Sequence, residues 1–446
     1  MTSPLNKKRA IVLLTLIASS TAAQAMTLSE ALRYAMTHDP SVEASVATYD
    51  VDREAGTQER GGLLPNVSAR GTVNYDRTKS EFAFGSAPAE NYPNWNASIE
   101  ARQPLFRLDW FARGDRATAL DQIADVGLRE RRQQLLNRVA ERYFNVLLAQ
   151  DELTQIEAQA RAVQESLDNT RKRYEVDLVP GTDLREAQAR NDLNQAQVLA
   201  ARHSLESARD ALDEVTGHGS EAMPVLAENV EFPALIPTTP ESWIRSMLDN
   251  SPALVRAREQ VKVANADVKS RFSSTLPTLD AVAGASHSDS TRYSLGQLQD
   301  DARIGLELNV PIFAGGILAS RSREAEARAR AAQAELHRLT VENERQVRQL
   351  FRSVQTGYAE VKAYRQALDS ARVAETATRN GYEAGTRTIT DVLDAKSRVA
   401  QAIRDLHRTR YTQLLNILQL KQVTGVLSDR DFQGVDQLLQ AAATGQ

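Results

Sequence analysis

No cysteine occurs in the 446 residues. Disulfides and thiolate chemistry are therefore excluded, as is a lipid anchor on an N-terminal cysteine. A chain without disulfides must draw its stability from packing. Aromatic residues reach only 5%, while Ala, Gln, Glu, Arg and Leu crowd long stretches. That usage suits long helices better than compact globular domains. Beyond residue 25 no apolar run reaches 18 residues, which leaves no candidate transmembrane helix. An excess of basic residues is also missing: 54 Lys+Arg stand against 58 Asp+Glu. Nucleic acid, which needs a basic face, is an unsuitable partner. The six histidines (His38, His203, His218, His287, His337 and His407) show no metal-ligand spacing. Neither a nucleophile elbow nor a glycine-rich phosphate loop appears. The expectation is a chain with no catalytic residues, no cofactor and no metal.

What is present begins with Lys7, Lys8 and Arg9, the apolar run Ala10–Ala18, and Ala23-Gln24-Ala25. These are the charged start, apolar stretch and small-residue cleavage site of a secretory signal peptide, assigned to residues 1–25. Removing its three cations leaves 51 Lys+Arg against 58 Asp+Glu, a mature charge near −7. The rest of the chain is written twice. Asp39-Pro40 and Leu64-Pro65 recur 212 residues later as Ser251-Pro252 and Leu276-Pro277. Thr182-Asp183-Leu184 and Val215-Thr216-Gly217 recur 208 residues later as Thr390-Asp391-Val392 and Val423-Thr424-Gly425. So long a period is far from that of solenoid repeats, so each copy is a module. The expected division is a first repeat over 26–217, an equatorial linker over 218–240, a second repeat over 241–426 and an equatorial tail over 427–446.

Each module ends in a long helical hairpin, expected over about 108–216 and 315–424. In the first, Leu135, Val139, Tyr143, Val146, Gln150, Leu153, Glu157, Ala160, Val163 and Leu167 recur at coiled-coil spacing. In the second, Val347, Leu350, Val354, Tyr358, Val361, Tyr364 and Leu368 do the same. At 1.5 Å per residue such helices run on the order of 100 Å. Short breaks at Val176–Gly181 and Glu383–Ile389 return the chain, and Gly217 and Gly425 fall where a C-cap is wanted.

Ahead of the hairpins the period changes to two. Val67, Ala69, Gly71, Val73 and Tyr75 alternate with Ser68, Arg70, Thr72, Asn74 and Asp76. Similar alternation over about 95–104, 277–288 and 302–311 gives four half-polar strands in all. Pro65 and Pro277 open the first strand of each pair, and Pro104 and Pro311 close the second. Tyr75, Phe82, Phe84, Tyr92 and Trp95 gather towards one end, with Phe106, Trp110, Phe111, Phe272 and Phe313 towards the other. Such bands flank the strands of outer-membrane barrels. A soluble antiparallel sheet with one wet face is the competing reading. In the barrel reading Ile99, Leu306 and Leu308 face lipid while Arg102 and Glu307 face water. Four strands cannot close a barrel, and hydrocarbon tolerates no open edge. Arg70, Glu100, Arg102, Asp280, Arg303 and Glu307 on the polar face call for a wet lumen, hence three copies and twelve strands.

The run Tyr382-Glu383-Ala384-Gly385-Thr386-Arg387-Thr388-Ile389-Thr390-Asp391-Val392-Leu393-Asp394-Ala395 resembles the helix-tip segment of the TolC family of outer-membrane efflux and secretion proteins. Gly305 through Gly316 resembles that family's last strand and its exit into the long helix. Leu178-Val179 and Thr182-Asp183-Leu184 resemble the tip of the first half. The resemblance spans essentially the whole mature chain. It implies a mixed membrane α/β fold: a homotrimeric twelve-stranded outer-membrane β-barrel, four strands per protomer, continued by a long periplasmic α-helical barrel. It also implies an exit duct for proteins or small toxic compounds, seated in outer-membrane lipid. The implied partners are a periplasmic adaptor and an inner-membrane ABC or RND transporter. By the same resemblance Tyr382 bonds Asp183, Arg387 contacts Thr182 and Asp183, and these four residues latch the gate. Asp391 and Asp394 then line the narrowest opening.

The residues also permit plainer roles. Asp391 and Asp394, three apart on a first helical turn, complement the macrodipole behind Thr390 as the expected cap. Threefold symmetry would nonetheless make their carboxylates a ring, which selects cations. Arg387 read alone is a solvated loop arginine, and an exposed ion pair contributes only ~0–1 kcal/mol. An exported trimeric coiled-coil scaffold or adhesin without a pore is the alternative for the whole molecule. Pro180-Gly181 at the first tip and the short tail after Gly425 depart from the family pattern. The short tail points to a reduced equatorial region.

Overall fold

The structure, a computed structural model, describes residues 25–79, 81–82, 85–86, 89–219, 223–224, 226, 230, 232–290 and 297–440. The expected signal peptide lies outside them except for Ala25, as do Phe84 and the tail beyond residue 440. The first round of elements is α1 (Leu28–His38), α2 (Pro40–Gly61), β1 (Asn66–Thr78), a short ribbon of β2 (Glu81–Phe82) and β3 (Gly85–Ser86), β4 (Glu90–Phe106), α3 (Asp109–Glu175) and α4 (Gly181–Thr216). The second is α5 (Pro240–Asn250), α6 (Pro252–Ser273), β5 (Thr278–Ser290), β6 (Gln297–Asn309), α7 (Ile317–Glu383) and α8 (Ile389–Val423), followed by α9 (Asp429–Gln440). Helices α3 and α7 are 67 residues each, α2 and α6 are 22 each, and α1 and α5 are 11 each. The internal repeat is therefore a repeat of elements as well as of letters.

The strands form one antiparallel sheet in the order β1-β4-β5-β6. Its register pairs Ala69 with Ile99, Ile99 with Ala285, and Ala285 with Ala302. Because side chains alternate across a strand, that register puts Ile99, Leu306 and Leu308 on one face and Arg102 and Glu307 on the other. Ile99 is 51% exposed, Leu306 69% and Leu308 65%. One correction concerns Pro104, which does not close its strand. β4 runs on to Phe106 through an irregularity between Pro104 and Phe106, where a residue without an N–H breaks the ladder at little cost. Among the described residues β1 and β6 stay unpaired on their outer sides within one copy.

No helix among the described residues is long and apolar enough to cross a membrane. The long helices bury most of the expected stripe: Leu135, Val139, Tyr143, Val146, Ala160, Val163 and Leu167 on α3, and Val347, Val354, Val361 and Leu368 on α7, whereas Gln150, Leu153, Glu157, Leu350 and Tyr358 are half-buried and Tyr364 is exposed. The largest core lies midway along them. There α1 and α9 pack on α3, on the C-terminal part of α4, and on Tyr411, Leu414 and Leu418 of α8. The equatorial tail is accordingly not vestigial. Phe432 and Leu439 of α9 are fully buried, and the Asp436 carboxylate accepts the backbone N–H groups of Leu28 and Ser29 at 2.8 and 3.0 Å. Those are two of the orphan donors of α1, satisfied from the opposite end of the chain. Burial pushes the Asp436 carboxyl up, with those backbone N–H groups acting against the shift.

Both C-cap glycines adopt the left-handed backbone, Gly217 at φ 66° and Gly425 at φ 76°. They differ in what surrounds them. A Cβ on Gly217 would meet only the His38 side chain, at 2.9 Å, whereas on Gly425 it would meet the Asn250 carbonyl oxygen. The His38 contacts, its Cβ among them at 3.0 Å, need a shift of a few tenths of an ångström, whereas the backbone against Gly425 is closer still. Gly425→Ala should therefore lower the thermal midpoint more than Gly217→Ala, both carrying the left-handed penalty of about 1–2 kcal/mol. Equal midpoints for the two variants would refute this reading of the α5–α8 contact.

Candidate functional site

The two helical turns at the ends of the hairpins meet around a cleft of about 720 Å³. Asp183, Glu186 and Arg190 from α4, Arg173 from α3, and Tyr382, Arg387, Thr390 and Leu393 from the second hairpin line it. Sequence neighbours and a distant pair of segments thus form one place. The first turn is built on Asp177, which takes the left-handed conformation at φ 57°, one that aspartate tolerates better than most residues. Pro180 then precedes α4 with no side-chain cap. The second turn is better anchored. Thr388, not Thr390, is the N-cap of α8: its hydroxyl accepts the Asp391 N–H at 3.2 Å, and the Asp391 carboxylate accepts the Thr388 N–H at 2.9 Å. The cap falls at Thr388 because that residue is extended while Ile389 and Thr390 are already helical.

This reciprocal box holds the Asp391 carboxyl below the usual carboxylate range, chiefly through the Thr388 N–H and hydroxyl. A depressed acid contributes its stability above the unfolded value, near roughly pH 4, and loses it as pH falls through the lower folded value. The cap therefore stays formed throughout the neutral range. Asp394, one turn further, sits 3.8 Å from the Arg190 guanidinium of the first hairpin.

The remaining expected contacts are only partly assembled within one copy. Asp183, Tyr382 and Arg387 line the same cleft, but no hydrogen bond joins Tyr382 or Arg387 to Thr182 or Asp183 among the described residues. The Thr182 hydroxyl instead donates to its own neighbour, Asp183, at 3.3 Å. Arg387, in the turn between the two helices, is folded back on the end of α7, its N–H donating to the Gly381 carbonyl and its side chain lying over Gly381.

The polar face of the sheet is a second place where charge collects. Arg102 reaches Asp280 at 3.2 Å and Glu307 at 2.9 Å, Arg107 reaches Asp280 at 2.9 Å, and Arg303 reaches Glu100 at 2.7 Å. The network ties β4, β5 and β6 together across nearly half the chain's length. On the opposite face the apolar rows end at His287, Asp289 and Asp300, with the Trp95 indole N–H donating to Asp289 at 3.3 Å. Below them Phe106, Phe111, Ile312 and Phe313 stand exposed. No group of three or more His, Cys, Asp or Glu among the described residues is arranged to hold a metal ion.

Comparison with known proteins agrees with this geometry. The family described as outer membrane efflux protein matches residues 31–218 and 243–426, one stretch for each structural round. Over 428 residues the sequence is 32% identical to outer membrane protein TolC of Vibrio cholerae, covering 95% of this chain and 96% of that protein. It is 29% identical over 450 residues to the proteases secretion protein PrtF of Dickeya chrysanthemi, covering 98% and 96%. Among solved structures, the outer membrane protein VceC of Vibrio cholerae superposes with a TM-score of 0.75 at 18% identity, over 89% of this chain and 96% of that one.

Proposed function

The chain belongs to the outer membrane efflux protein family and is an outer-membrane duct reaching into the periplasm, and on that premise we propose what gates it and what it docks on. It is a homotrimer whose twelve-stranded barrel takes four strands from each copy and continues as a helical barrel. The observation that carries the export reading is the four-stranded sheet with two unpaired edges and one apolar face, joined directly to helices of 67 residues. Such an edge is not tolerated in hydrocarbon unless neighbouring copies close it. A scaffold without a pore, the other reading of the sequence, finds no support in the family or the fold.

The gate is the pair of tips, with Tyr382, Arg387, Thr182 and Asp183 as its latch and Asp391 and Asp394 as its acid ring. What supports this is that residues of both turns line one cleft, while among the described residues the Tyr382 hydroxyl and the Arg387 guanidinium make no hydrogen bond to Thr182 or Asp183 of their own copy. Donors left over in one protomer are available to the next. The tips dock on an inner-membrane ABC or RND transporter through a periplasmic adaptor. The proteases secretion protein among the relatives favours protein cargo alongside small toxic compounds. Purified protein should run as a trimer in detergent and conduct ions across a planar bilayer. Trimers that insert but never conduct, with or without the latch intact, would overturn the reading.

A further inference from the structure

We propose that Arg190 sets the charge of the acid ring by pairing with Asp394 across the two tips. This rests on reading the tips as the duct's constriction. The Arg190 Nη2 lies 2.8 Å from the Glu186 carboxylate, one turn earlier on its own helix, and Nη1 lies 3.8 Å from Asp394 on α8. One planar fork thus addresses an acid from each hairpin, which a single ammonium cannot do with fixed geometry. The counterpart of Arg190 in the second half is Arg398, 208 residues on and one turn beyond Asp394. Arg398 makes no ion pair with Asp394 among the described residues. Asp394 therefore takes its cation from the other hairpin.

Asp391 and Asp394 are consequently not equivalent. The Asp391 carboxylate accepts the N–H and hydroxyl of Thr388 at 2.9 Å and makes no ion pair among the described residues, although the Arg387 and Arg398 charges act on it. Asp394 faces a guanidinium that is always protonated, at a separation well inside the ~8 Å screening length of physiological salt. Its contribution to the field in the opening is offset as long as Arg190 stays in place. Both groups are partly exposed, so the effect is one of local charge and not of folding stability. The ring's preference for cations then depends on Asp391, Asp394 and Arg190, whose own charge is shared with Glu186 at 2.8 Å.

The test uses purified trimers in planar bilayers, with the reversal potential measured in a KCl gradient and Mg²⁺ added as a blocker. Arg190→Gln should raise the cation-to-anion permeability ratio several-fold and tighten block by Mg²⁺. Arg190→Lys, which keeps the charge but cannot fork to both acids, should shift the ratio less than Arg190→Gln. In an Asp394→Asn background Arg190→Gln should change the ratio far less. An unchanged ratio in Arg190→Gln, or an equal shift in both backgrounds, overturns the inference. The separate Asp391→Ala, Asp394→Ala variant tells the two failures apart. If it loses cation preference while Arg190→Gln does nothing, the constriction stands and the role of Arg190 falls. If it keeps the parent's selectivity, the constriction itself has been misplaced.

Discussion

Leu306→Arg should abolish assembly in the outer membrane, whereas Glu307→Arg, one residue away, should assemble and change ion selectivity. Leu306 lies on the apolar face between the rows of Ile304 and Leu308, and the apolar surface continues below through Ile312 and Phe313. A basic residue on a barrel's lipid face costs about 2–4 kcal/mol near the midplane, and the trimer incurs that cost in each copy. Glu307 points the other way. Its replacement removes an exposed ion pair with Arg102, and such pairs add little to stability. Asp280 remains to hold Arg102. The measurements are heat-modified trimer yield in membranes for the first variant and reversal potential for the second. Similar yields for both would mean that the faces of the sheet are reversed.

That contrast could be written from sequence because a period of two fixes which side chains share a face. The long helices were legible for the same kind of reason: Leu135 to Leu167 repeat at coiled-coil spacing, and most of the stripe is buried. What spacing does not carry is partnership between distant elements. Arg102 and Asp280 are 178 residues apart, and only the strand register brings them within hydrogen-bonding reach. Asp436 capping α1 is a contact over 408 residues, written as an ordinary acid in a short tail. Sequence alone points to Thr390 where the cap of α8 is Thr388, because the two threonines are chemically alike. What distinguishes them is the backbone angle set by the preceding turn. Arg190 carried a faint local signal, an acid four residues earlier, but its more consequential partner lies on another hairpin.

Tyr382→Phe with Arg387→Ser should raise the resting conductance of the duct strongly. Neither side chain is committed to Thr182 or Asp183 within its own copy, although Asp183, Tyr382 and Arg387 border one cleft. If a neighbouring copy supplies the partners, hydrogen bonds to charged groups contribute about 1.5–3 kcal/mol each, multiplied over three equivalent sites. Removing the donors should therefore destabilise the closed state while leaving the cap formed by Thr388 and Asp391 intact. The open state makes no use of those bonds and should keep its stability. Asp391→Ala with Asp394→Ala should behave differently. It dismantles the source of negative charge, so cation preference and block by multivalent cations should both weaken. It also removes the cap box of α8, so trimer integrity must be checked by sedimentation before conductance is compared. One double variant should mainly change the size of the conductance and the other mainly its selectivity. A tyrosine–arginine variant that conducts no more than its parent at matched voltage and salt would remove the latch from these residues and leave the duct without an assigned bolt.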